Sequence, residues 1–170
     1  MVNASAFPLS FFPTRTMPST SENDDVRALV RGYAETPGQL IRRAHQAHMQ
    51  LWTEVVPLDI TGTQYSILSV LSVHGELDQA TVGRLTSLDK SSIAELATRM
   101  VQRGLIQRNK DERDGRRRVL RITDEGARTV AEAAPFVHRV GQRLLAALDE
   151  REAVQFMDYL GRVGNPANRD

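Results

Sequence analysis

Cysteine is absent from the 170-residue chain, and only 5% of its residues are aromatic. The first absence removes disulfides, thiolate metal sites and thiol redox sensing, and it fits a reducing cytoplasm. The second leaves aliphatic and alanine-rich helix packing to supply most of the buried surface. No apolar run reaches the ~20 residues that span a bilayer, so a soluble, cytoplasmic protein without a membrane partner is expected. There is no internal repeat, no glycine-rich phosphate loop, and no grouping of nucleophile, base and orienting side chain. The expectation is therefore a non-enzyme without a cofactor. A large net charge is missing too, because the chain sums to only +1.

That near-neutral sum hides a concentration. Residues 103–121, RGLIQRNKDERDGRRRVLR, carry eight arginines and lysines against three acids, so the remainder of the chain is acidic on balance. Charge this local, on a segment that reads as two short strands around a tight turn, suits a grip on a polyanion better than a merely solvated hairpin.

The ends differ from the middle. Residues 1–35 hold Pro8, Pro13 and Pro18 among many Ser and Thr, with no sustained period. They read as a mobile extension, with a short helix possible between Asp25 and Tyr33 and with Met17 as an alternative start. The FPLSFF stretch lacks the preceding positive charge and the apolar length of a secretory signal. Residues 165–170 read as a tail.

Between these ends the pattern is helical. Thr36-Pro37-Gly38-Gln39 is a helix start, leading into a helix to about Val56. Its aliphatic seam of Leu40, Ala44, Ala47, Leu51 and Val55 is bordered by Ile41, His45, His48 and Trp52. Thr61-Gly62-Thr63-Gln64 is a capping box for a second helix that closes at His74-Gly75. A short helix begins at Asp78 with Val82 and Leu85 inward. After a turn, a further helix from about Asp89 to Arg103 buries Ile93, Leu96, Ala97 and Met100. Gly104 stops it. Two strand-like segments, Leu105-Ile106 and Val119 to Ile122, flank the charged turn. Thr123-Asp124-Glu125-Gly126 starts a long helix that Pro135 should bend or interrupt, and Asp149 to Glu152 caps a last helix to about Gly164. The fold class that follows is mainly α: a winged helix-turn-helix with additional N- and C-terminal helices.

The capped segment TGTQYSILSVL, the segment LDKSSIAELATRMVQRGLI and above all DERDGRRRVLRITDEG resemble the multiple antibiotic resistance regulator (MarR) family of winged-helix transcription factors. The resemblance covers about Pro37 to Val163. It implies a domain over 36–164, with a DNA-binding lobe at about 61–122 and dimerisation helices at 36–56 and 123–164. A homodimer on double-stranded DNA is implied, and Leu144, Leu148, Met157 and Leu160 independently ask for a surface to pack against.

In that arrangement the helix after Asp89 enters the major groove by its N-terminal part. Lys90, Ser91, Ser92 and Glu95 are then the base-edge readers, with Arg99 nearer the phosphates. Arg113 or Arg116 would enter the minor groove from the wing, while Asp111 and Asp114 fix its turn by pairing with arginines. Arg117 and Arg118 join the DNA-binding set, one of the strand arginines touching phosphate while another is structural. Glu95 stands where the family often has a basic residue, so no operator sequence carries over.

Family members commonly respond to small aromatic acids or phenols. The resemblance therefore implies an aromatic effector, held by Arg42 or Arg43, His45, His48 and Trp52, with Tyr65 and His74 completing the wall. Two other readings stay open. His45 and His48 could chelate zinc with a third donor such as His74 or His138, or the chain could be a ligand-independent architectural DNA-binding module.

Overall fold

The computed structural model of the chain describes residues 36–110, 114 and 117–164. The short helix expected at 25–33, the tail and the wing tip with Asp111, Arg113 and Arg116 lie outside the described residues. Two compact units divide the chain, residues 1–43 and 44–170. The first contributes only the start of one helix to the described residues. The core, the sheet and the other helices belong to the second.

The element order is α1 (Pro37–Val55), α2 (Gly62–His74), β1 (Glu76–Asp78), α3 (Gln79–Leu85), α4 (Lys90–Gln102), β2 (Ile106–Lys110), β3 (Arg118–Ile122), α5 (Asp124–Leu144) and α6 (Glu150–Gly164). This is a winged helix-turn-helix carried between flanking helices. The starts of α2 to α6 are chemically marked. The Thr61 hydroxyl accepts the Gln64 N–H at 3.2 Å while the Gln64 side chain accepts the Thr61 N–H at 3.0 Å, so two otherwise orphaned donors of α2 are satisfied reciprocally. Asp149 and Glu152 make the same exchange at α6.

The three-stranded antiparallel sheet has the order β1-β3-β2. Leu77 of β1 and Arg108 of β2 both register against Leu120, and Leu120 is fully buried. The sequence pattern supplies β2 and β3 but not β1, because three residues between two helices carry no readable alternation. Around Leu120 the core gathers Ile67, Leu68 and Leu71 from α2, Val82 from α3, and Ile93, Ala97 and Met100 from α4. Burying an aliphatic side chain of this size stabilises by about 1.5–3 kcal/mol before entropy is subtracted.

Two expectations need correction. Leu85 does not point inward; it is 50% exposed. The seven-residue α3 ends there, Ser87 turns the chain at a positive φ, and Leu88 packs against the core instead. Nor does Pro135 mark a joint, one of the two outcomes expected there, since α5 runs through it. The hydrogen bond that proline cannot donate falls to the carbonyl of Ala131, an exposed residue whose oxygen water can satisfy.

One junction fixes the wing to α5. The Thr123 hydroxyl caps α5 by accepting the Gly126 N–H at 3.1 Å and donates to the Gly104 carbonyl at 2.7 Å. A Cβ added to Gly126 would lie 2.2 Å from the Leu105 carbonyl oxygen. That neighbour is backbone at the foot of β2 and has no rotamer to yield. Gly126→Ala should therefore cost about 1–3 kcal/mol or more, read as a lowered denaturant midpoint; an unchanged midpoint would show that this junction is slack.

Candidate nucleic-acid interface

Asp89 governs the start of α4. One carboxylate oxygen accepts the Ser91 and Ser92 N–H groups, each at 2.9 Å, and the Ser91 hydroxyl at 2.5 Å; the other accepts the Ser92 hydroxyl at 2.6 Å. These bonds, the Ser91 hydroxyl first and the Ser92 hydroxyl next, hold the Asp89 carboxyl well below the usual carboxylate range. Both hydroxyl protons are thereby engaged. Toward any further partner the serine oxygens can then act only as acceptors.

Further along the exposed face, Glu95 accepts from Arg99 at 2.6 Å. Arg108, on β2, donates to the Thr98 hydroxyl at 3.2 Å, which sets a wing-strand guanidinium beside α4. Sequence reasoning missed Arg108, because nothing local reveals that β2 runs alongside this helix.

The sheet sorts the arginines of β3 and its approach. Arg117 pairs with Asp78 at 3.0 Å and Arg121 with Glu76 at 3.2 Å. Both acids come from β1, the strand the pattern did not reveal. The Thr81 hydroxyl, ahead of the Arg117 charge, holds Asp78 below its ordinary value. Arg117, expected to bind DNA, is thus tied to the root of the wing, whereas Arg118 and Lys90 make no ion pair among the described residues. Those two cations line one cleft of about 430 Å³ together with Arg117 and its partner Asp78, with Leu88 and Ile93 among its apolar walls. Asp114 is exposed, and its carbonyl accepts the Arg117 N–H at 2.9 Å.

The aromatic residues form a separate group. Trp52 is buried and its indole N–H donates to the Ile60 carbonyl at 2.8 Å. The half-buried His48 and Tyr65 rings lie 6.1 and 5.8 Å from it, both tilted. His45 is exposed one turn earlier, and Arg42 and Arg43 are exposed in the first unit. His74 does not join the group. Nine residues separate it from Tyr65 along α2, which is about 13.5 Å of rise and half a turn of rotation. Among the described residues no three His, Asp or Glu side chains converge on a metal-sized site, so the His45 and His48 pair gains no third donor there.

The comparisons with known proteins agree with this geometry. The model of the MarR family matches residues 58–117. Transcriptional regulator HosA of Escherichia coli is 30% identical over 125 residues, covering 74% of this chain and 92% of HosA. The PcaV transcriptional regulator of Streptomyces coelicolor, solved in complex with its natural ligand, is 42% identical at a TM-score of 0.74, covering 79% of this chain and 95% of that one. BpsR of Bordetella bronchiseptica, whose DNA binding is regulated by 6-hydroxynicotinic acid, is 25% identical at a TM-score of 0.75, covering 78% and 96%. The capped helix α4 beside the β2 and β3 strand pair is the helix-turn-helix and wing arrangement of winged-helix regulators. The chain belongs to the MarR family of transcriptional regulators.

Two measurements test the interface. Arg118→Ala should weaken binding to every duplex and reduce the salt slope by about one, while Arg117→Ala should leave the slope near the original; the reverse ranking would show that the Asp78 pair does not persist on DNA. Because Asp89 is lowered, its capping contribution is complete above the ordinary carboxylate pKa and is lost as pH falls from there through the folded value. The Ser91 and Ser92 amide resonances should consequently titrate with a midpoint below ~3.9. A midpoint at or above that value would contradict the cap.

Proposed function

We propose that the chain is a cytoplasmic, homodimeric transcriptional repressor that holds a pseudo-palindromic operator and releases it when a small aromatic acid or phenol binds. The observation that carries the effector reading is the cluster of His48, Trp52 and Tyr65. It offers the half-buried His48 and Tyr65 rings, tilted against the buried Trp52, as one imidazole and one phenol beside the core of the lobe. Support comes from the likeness to PcaV, solved with its natural ligand, and to BpsR, regulated by a hydroxylated aromatic acid.

The dimer reading rests on α6. None of its residues is buried, and Val154, Met157, Leu160 and Val163, spaced by three, are 44–69% exposed. A helix with such an apolar stripe is stable when something covers it. A second copy does so symmetrically, and it presents two recognition helices to half-sites roughly 34 Å apart. The effector then acts by favouring a spacing of those helices that the operator does not fit.

The test pairs sequence selection with an effector panel. Random-duplex selection should return inverted half-sites, preferred over unrelated DNA by at least about a thousandfold at physiological salt. Adding 4-hydroxybenzoate, 6-hydroxynicotinate and related acids should identify one that lowers operator affinity by about five- to a hundredfold. His48→Ala should keep operator binding and lose that response. If the response survives in His48→Ala, the cluster is not the effector site; if no acid or phenol acts and the preference is small, an architectural binder is the better description.

A further inference from the structure

The loop 56–61 between α1 and α2 is held from two directions. From α1 the Trp52 indole N–H reaches the Ile60 carbonyl at 2.8 Å. From the far end of α4, Arg103 pairs with the Asp59 carboxylate at 3.1 Å, donates to the Asp59 carbonyl, and reaches the Gln64 side-chain oxygen at 3.4 Å. That oxygen already accepts the Thr61 N–H, and Gln64 is 6% exposed. Arg103 thus joins the C-cap of the recognition helix to the capping box of α2, 39–44 residues away in sequence.

We propose that Arg103 is a positioning residue for DNA recognition, setting the angle of α4 through its fork onto Asp59 and Gln64, and that Trp52 sets the same loop from the other side. This rests on the reading that α4 meets the operator. Ala97, fully buried at mid-helix, is the fulcrum. Arg103 lies six residues beyond it and Lys90 seven before it, about 9 and 10.5 Å along the axis. A 1 Å lateral shift at Arg103 therefore moves the reading end by about 1 Å the other way, which is enough to break a base-edge hydrogen bond held at ~3 Å. A lysine cannot replace the fork, since one ammonium cannot reproduce planar contacts to a carboxylate, a carbonyl and an amide oxygen. The aromatic cluster therefore lies two hydrogen-bonded links from the recognition helix.

The experiment compares full-length wild type with Arg103→Met, Arg103→Lys, Trp52→Phe and the Arg103→Met, Trp52→Phe double variant. Each is titrated with operator and with unrelated duplex across a salt series, and its fold is monitored by thermal melting. Arg103→Met and Arg103→Lys should each lose about tenfold in operator preference. Affinity for unrelated DNA and the salt slope should stay unchanged. Trp52→Phe should lower the preference as well, and the double variant should lose less than the product of the single losses, because both act on one loop. A salt slope reduced by about one in Arg103→Met and restored in Arg103→Lys would mean a phosphate contact and would overturn the proposal. So would full preference in both Arg103 variants, or multiplicative losses in the double. If Arg103→Met does not fold, Arg103→Lys against Trp52→Phe decides on the same readouts. A wild type without operator preference would instead sink the underlying DNA reading, whatever the variants do.

Discussion

The pairing of β1 carboxylates with the arginines of β3 is the constraint on which the rest of this lobe depends. A segment with eight cations against three acids repels itself, and an edge strand of it would stand away from the body. Glu76 and Asp78 supply the counter-charge across the ladder. Surface ion pairs of this kind contribute little stability singly; their effect here is allocation. Arg117 and Arg121 are held by the β1 acids, and in the cleft that the Arg117 pair also lines, Lys90 and Arg118 have no ion partner among the described residues.

The same allocation runs along α4. Its first turn is closed by Asp89, its middle carries the Glu95 and Arg99 pair, and its last residues hand over to Arg103 and the loop below. Polar side chains on an exposed helix are ordinarily mobile. Here Ser91, Ser92, Glu95 and Arg99 each have an intramolecular partner, so the exposed face of α4 is largely pre-set. Pre-setting lowers the ordering cost of association and makes the helix angle, rather than side-chain search, the quantity to be tuned.

Much of this was legible in the sequence because its causes are local. Thr61 with Gln64, Asp89 before its serines, Gly104 after α4 and Thr123 before Gly126 are short-range marks, and the helices they bound lie where the marks put them. What escaped was non-local. β1 is a strand only because β3 lies beside it. Arg108 and Arg103 owe their roles to elements 10 and 39–44 residues away. Leu85 and His74 were misplaced for a related reason: helical spacing states which residues share an arc, but not where a short helix stops or which end of a long one reaches a neighbour. The family resemblance supplied the wing, the dimer and the effector as expectations. It could not say which arginine the sheet would retain.

The Asp89 cap has a consequence for chemical selectivity. With both serine protons turned inward to a carboxylate, this end of α4 presents hydroxyl oxygens beside the Lys90 cation and the partly positive helix N-terminus. While Asp89 is ionised, those hydroxyls are committed as donors, and toward any further group they act as acceptors.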